Sequence, residues 1–169
     1  MKIDLDLMHP APPVVVHAML TDPQFHERKC AATGALEYQV RVLPAGGPDP
    51  TRTVVRTQRR LPTDGLPDLV RSFVKNGLVV RESIAWGPAH ADGARVAEVD
   101  VQIVGQPVRM RGTLAMSPCP RGTAGHLLAE LTVAVPLLGG AIEKLVAPTI
   151  VDAIRAEERV GRDWLAQAR

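Results

Sequence analysis

Aromatic side chains make up only 3% of this 169-residue chain, so aliphatic side chains must fill any core it builds. It has just two cysteines, Cys30 and Cys119, far apart in sequence. That excludes a disulfide framework and a repeated CxxC zinc pattern. Long apolar runs are missing too. The longest uncharged run that could suggest a membrane span, "LTVAVPLLGGAI", is broken by Pro136 and two glycines and is well short of the roughly 18 residues a span needs. Neither sign of charge dominates: 20 basic and 18 acidic residues leave a formal charge of +2. Without a strong overall field, nucleic acid is not expected as a partner. No glycine spacing fits a phosphate-binding or dinucleotide-binding loop. The opening "MKIDLDLMHP" carries acids among its apolar residues and does not read as a signal peptide, so a soluble, cytoplasmic protein is expected.

What is present suits one ordinary domain. A chain of this length buries about 70% of its unfolded surface, and 46% hydrophobic with 22% charged residues is normal for a globular protein. Proline and glycine are spread as punctuation between short patterned runs. "KIDLDLM" alternates and reads as a first strand. "PPVVVHAML" reads either way, since its valines favour a strand while its prolines can open a helix. In "TDPQFHERKCAATG", Thr21 and Gln24 form a capping box, Pro23 suits the first turn and Gly34 the exit of a second helix. Strand-like runs follow: "ALEYQVRVL", "TRTVVRTQRR" after a Gly/Pro-rich loop, "LVVRESIAW", "ARVAEVDVQIV", "VRMRGTLAM" and "HLLAELTVAV". A short helix, "LPDLVRSFVKNG", separates the second and third of these and exits at Asn76-Gly77. Successive short strands of this kind predict an antiparallel meander.

One hairpin can be registered from the pattern alone. A loop from Val104 to Pro107 pairs Ile103 with Val108 and keeps Val99, Val101, Met110 and Leu114 on one face. The same register sets Asp100 opposite Arg111 on the other face. The sheet therefore has a dry face that needs a cover. Only the last segment can provide it: from Leu137 to Ala166 a helix would be about 45 Å long. Its apolar stripe reads Leu138, Ile142, Leu145, Val146, Thr149, Ile150, Ala153, Ile154, Val160 and Trp164. Gly139 and Gly140 are expected to let the helix approach the sheet, and Pro148 to kink it.

The order β-α-α-β6-α resembles the START-like (helix-grip, SRPBCC) superfamily, which includes polyketide cyclases and lipid-transfer domains. More narrowly, "TDPQFHERKCAATGA", "LPDLVRSF", "ADGARVAEVDVQIVGQPVRMRGTL" and "VPLLGGAIEKLV" resemble an uncharacterised bacterial family within it, a domain of unknown function common in actinobacteria. The resemblance covers nearly the whole chain. It implies an α+β helix-grip fold: a seven-stranded curved antiparallel sheet wrapped around a long C-terminal helix, with residues 1–169 forming one domain. It also implies a cavity between sheet and helix for a hydrophobic small molecule, lipid-like or polyketide-like. The side chains expected to face that cavity are Tyr38, Val55, Arg59, Phe73, Glu82, Ile84 and Trp86 from the first half of the chain. Val99, Val101, Met110 and Leu114 join them from the hairpin, and Ile142, Leu145, Val146 and Thr149 from the helix.

Two charged residues stand out among these. The parity that buries Val55 also turns Arg59 inward, and the parity that buries Trp86 turns Glu82 inward. If their strands are neighbours, the two could pair and anchor a polar head group, because buried charges demand partners. The plainer reading is a solvated strand end or a shifted register. His26 and Cys30, at i and i+4, would be half a metal site, but no second pair exists, so no metal and no cofactor are expected. Arg41, Arg52, Arg56 and Arg60 read as a solvated face. No catalytic arrangement can be inferred. A carrier or sensor is expected first; a cyclase- or dehydratase-type enzyme, or an interaction module with a filled cavity, stands as the alternative.

Overall fold

The first alternating run forms strand β1, Lys2–His9, with Ile3 and His9 at its buried positions. The structure, a computed structural model, describes residues 1–44, 51–64, 66–74 and 77–167, without the side chain of Phe73. The Gly/Pro-rich loop residues 45–50, Asn76 and the Phe73 side chain therefore lie outside the described residues.

The valine run that could be read either way is helical: α1 spans Pro13–Leu20. Pro13 occupies the first turn, where a missing N–H costs nothing. Val16 and Met19 are buried while Val14 and Val15 face out, a helical rather than an alternating pattern. The second helix, α2, spans Pro23–Ala32 and is capped by Asp22 rather than Thr21. The Asp22 carboxylate accepts the Gln24 N–H at 2.8 Å, whereas the Thr21 hydroxyl donates back to the His17 carbonyl at 2.8 Å. Thr21 closes α1 and so cannot open α2. Gly34, with φ 76°, takes the helix exit as expected.

The rest follows in chain order: β2, Glu37–Leu43; β3, Thr53–Leu61; α3, Asp68–Phe73; β4, Leu78–Trp86; β5, Arg95–Ile103; β6, Val108–Cys119; β7, Gly122–Val133; and α4, Gly139–Gln167. The strands form one antiparallel sheet in the order β1-β7-β6-β5-β4-β3-β2. The meander holds from β2 to β7, and β1 closes onto β7. The hairpin register is as read from the pattern, with Asp100 facing Arg111 and Val101 facing Met110. Asp100 accepts from Arg109 Nε at 2.9 Å and pairs with Arg111 at 3.4 Å on the outer face.

Helix α4 packs on β1 and β7 and against α1, α2 and α3. Its approach to the sheet is fixed by Gly139, where a Cβ would lie 2.2 Å from the Val133 carbonyl oxygen; at Gly140 a Cβ would meet nothing within 4 Å. Only the first of the two glycines is needed for close approach. Two apolar clusters fill the space between sheet and helices. One joins Ile3, Val99, Met110, Leu127, Ala129, Leu131 and Ala147, with Ile150 and Ile154 against it. The other joins Val16, Met19, Phe25, Trp86, Ala97, Met116 and Leu165.

Candidate functional site

Between the two clusters lies a cavity of about 120 Å³. Strand alternation supplies its floor: Glu82, Ile84 and Trp86 from β4, Val99 and Val101 from β5, and Met110, Leu114 and Met116 from β6. Leu7 and His9 of β1 and Leu127 of β7 extend it. Val16, Leu20, Phe25, His26 and Lys29 of α1 and α2 form one side, and Ile154, Glu157 and Glu158 of α4 form the roof.

Of the residues expected there, Glu82, Ile84, Trp86, Val99, Val101, Met110 and Leu114 line the cavity. Val55, Arg59 and Ile142 are buried outside its wall, and half-buried Val146 packs on the first cluster. Three placements need correction. Tyr38 is 42% exposed because β2 is the sheet edge and meets α2 rather than α4. Leu145, 40% exposed, and Thr149 face solvent. The inward line of α4 runs from buried Ile142 through half-buried Val146, Ile150 and Ile154 to buried Glu158, and one residue earlier on a helix is about 100° round its axis. Phe73 cannot be placed, since its side chain is outside the described residues.

At one end of the cavity four charges meet. Lys29 Nζ donates to Glu82 Oε1 at 2.8 Å and lies 3.3 Å from Glu157 Oε2. Arg59 Nη1 donates to Glu157 Oε1 at 2.9 Å and to Thr33 Oγ1 at 3.3 Å, with its Nη2 3.9 Å from Glu82 Oε2. The expected Arg59–Glu82 pair is thus the longest contact of the cluster. Register explains it: Glu82 faces Thr57 across the strands, and Arg59 faces Val80. Burial alone would raise the Glu82 carboxyl, but Lys29 and Arg59 outweigh it and hold it at about 2. Burial would likewise lower the Lys29 ammonium, and Glu157 and Glu82 raise it instead. Glu82, Lys29 and Arg59 are ionised at neutral pH, and the cluster sets two acidic side chains against two basic ones.

Lys29, Glu157, Glu158 and His9 were not expected in the cavity wall, and His26 was weighed only as half a metal site, although a signal for the first four was present. Lys29 is one turn after Phe25. Glu157 and Glu158 continue the Ile150–Ile154 line at helical spacing. His9 continues the Ile3–Leu5–Leu7 alternation. A second buried carboxylate, Glu158, accepts the Met8 N–H at 2.9 Å and pairs with Arg155 at 3.1 Å and Arg162 at 3.6 Å. His26 Nε2 lies 2.8 Å from the Leu20 carbonyl oxygen, which can only accept, so Nε2 carries the proton. Burial, helped by Lys29, pushes the His26 pKa down and keeps the ring neutral. Among the described residues no group of three or more His, Cys, Asp or Glu could hold a metal. No helix among them is long and apolar enough to cross a membrane, which says nothing of strands.

A seven-stranded antiparallel sheet, two short helices after its first strand and a 29-residue terminal helix over its inner face define an α+β helix-grip fold. The chain belongs to the family described as "Protein of unknown function (DUF2505)", whose model matches residues 4–165. Uncharacterized protein Rv0481c of Mycobacterium tuberculosis is 29% identical over 155 residues, covering 89% of this chain and 88% of that one. Among solved structures, TTHA0849 from Thermus thermophilus superposes with a TM-score of 0.60 at 18% identity over 100% of both chains. The STAR-related lipid transfer protein from Xanthomonas axonopodis gives 0.58 at 14% identity, over 98% of this chain and 84% of that one. The Zhui aromatase/cyclase from Streptomyces sp. R1128 gives 0.55 at 13%, over 95% and 93%. At these identities the likeness is one of fold.

Proposed function

We propose that this protein binds a hydrophobic small molecule between its sheet and α4, as a carrier or sensor rather than an enzyme. The observation behind this reading is the cavity itself, floored by aliphatic, methionine and tryptophan side chains. A filled core would have favoured an interaction module instead. Apolar ligand area buried there contributes about 25 cal/mol per Å². Volume limits what enters. A dry apolar cavity of about 150 Å³ takes one benzene ring, so about 120 Å³ suits a single small ring or a short aliphatic segment. A full acyl chain or a fused-ring polyketide needs α4 to move away from the sheet. The likeness in fold to a lipid transfer protein and an aromatase/cyclase supports a ligand of hydrophobic type.

One observation favours an enzyme: His26, Lys29, Glu82 and Glu157 converge at one end of the cavity. Yet Glu82 is held well below its ordinary value and Lys29 above its own, which suits neither to exchange a proton near neutral pH. The carrier reading is tested by thermal unfolding with and without toluene. A concentration-dependent rise in Tm, abolished by Val101→Trp, is expected. No rise for the wild-type protein at saturating toluene would remove the reading.

A further inference from the structure

The two edges of the sheet are finished differently. At β1 the outward main chain is taken up by α4: Glu158 accepts the Met8 N–H at 2.9 Å and Arg155 donates to the Asp6 carbonyl at 2.6 Å. At β2 nothing takes that place, and among the described residues its main chain bonds only to β3. None of the seven residues of β2 is buried. Leu36 just before it is 61% exposed, and Tyr38 and Leu43 are exposed as well. Edge strands are ordinarily blunted by lysine, proline, a bulge or short length. The run "EYQVRVL" has neither proline nor lysine, and it is longer than the mean strand of about 5–6 residues.

We infer that β2 is an interface for a second copy of this chain, which adds antiparallel across a two-fold axis at Gln39. The charges select this occupant. Arg41 stands directly opposite Arg56 on β3, and among the described residues neither has an acidic partner. Like charges in that position repel. With Gln39 on the axis, Arg41 meets the second copy's Glu37 and Glu37 meets the second copy's Arg41, both on the outer face. Glu37, already paired with Arg60 of its own chain, then lies between two arginines. On the inner face the same register sets Tyr38 against Val40 and Leu36 against Val42, aromatic and aliphatic partners that favour pairing. Moving the axis to Tyr38 or Val40 keeps the faces aligned but loses both charge pairs. A two-fold axis supplies each contact twice, so one complementary strand makes a closed dimer.

The test is sedimentation equilibrium of the full chain at low salt, over a range of concentrations. The wild-type protein is expected to reach dimer mass. Arg41→Glu sets like charges across the joint and should weaken the dimer by about tenfold or more. It also replaces the Arg41–Arg56 repulsion with an opposite pair, so the monomer should stay folded. Glu37→Arg should weaken the dimer to a similar extent. An equimolar mixture of the two variants should recover dimer mass, because each supplies the charges the other lacks. If Glu37→Arg fails to fold, Tyr38→Lys, at an exposed position of the same joint, is expected to be monomeric. A wild-type protein that stays monomeric throughout overturns the inference. So does a dimer that ignores Arg41→Glu, or variants that fold but do not associate when mixed.

Discussion

Glu82 sits on a strand whose neighbours in alternation are Val80, Ile84 and Trp86, an apolar setting a carboxylate tolerates only with partners. Removing one partner of a buried pair leaves a charge uncompensated, so Glu82→Gln and Lys29→Met should each destabilise the fold by about 3 kcal/mol. The double variant should lose clearly less than the sum, because the two changes share one interaction. Urea unfolding of the three variants checks this; additive losses would mean that the cluster does not act as a unit. The inward turn of both Arg59 and Glu82 was legible from strand parity. Their true partners were not, because those come from helices whose rotation the parity rule does not reach. Lys29 lies one turn after Phe25, but only the packing of α2 on the sheet and α4 brings its ammonium to Glu82 and Glu157. Glu157 and Glu158 were hidden by the habit of reading a helix stripe through its apolar members alone.

At the scale of elements, the strand series, the β5–β6 register and the terminal helix were all readable, since each rests on a local period or a turn. The rotation of α4 was not. Leu145 is as apolar as Val146, and only docking shows that Val146 faces the sheet. Close backbone approach is also invisible in a sequence. At Gly112 of β6 a Cβ would lie 2.1 Å from the Leu128 carbonyl oxygen on β7, whereas Gly140 of α4 has open space around it. Gly112→Ala should therefore cost more than about 2 kcal/mol by forcing β6 and β7 apart. Gly140→Ala should stabilise by roughly 0.5–1 kcal/mol through lower chain entropy and better helix propensity. Chemical denaturation of both variants gives the signs; the same sign for both would contradict the packing described.

For the molecule as a whole, three buried or half-buried histidines set the acid limit of the fold. His17 is lowered to about 4 by burial and by Arg95; burial also lowers His9 and His26. Each ring is more basic in the unfolded chain, at about 6.5. The unfolded state therefore takes up protons first as pH falls. Their contribution to stability is full above about 6.5 and is lost as the pH falls toward the folded values, about 4 for His17. Unfolding free energy should fall steadily over that window, before Glu82 begins to titrate near 2. A flat profile between pH 6.5 and 4 would show that the rings are solvated.

If the space between sheet and α4 receives a hydrophobic ligand, two of the five methionines report on it directly. Met110 and Met116 line the cavity; Met1, Met8 and Met19 do not. With ¹³C-labelled methionine methyl groups, toluene titration should shift the Met110 and Met116 resonances saturably and give intermolecular NOEs to both, with the Met1 signal unmoved. Saturable binding that leaves Met110 and Met116 unshifted, or no binding at all, would contradict the account.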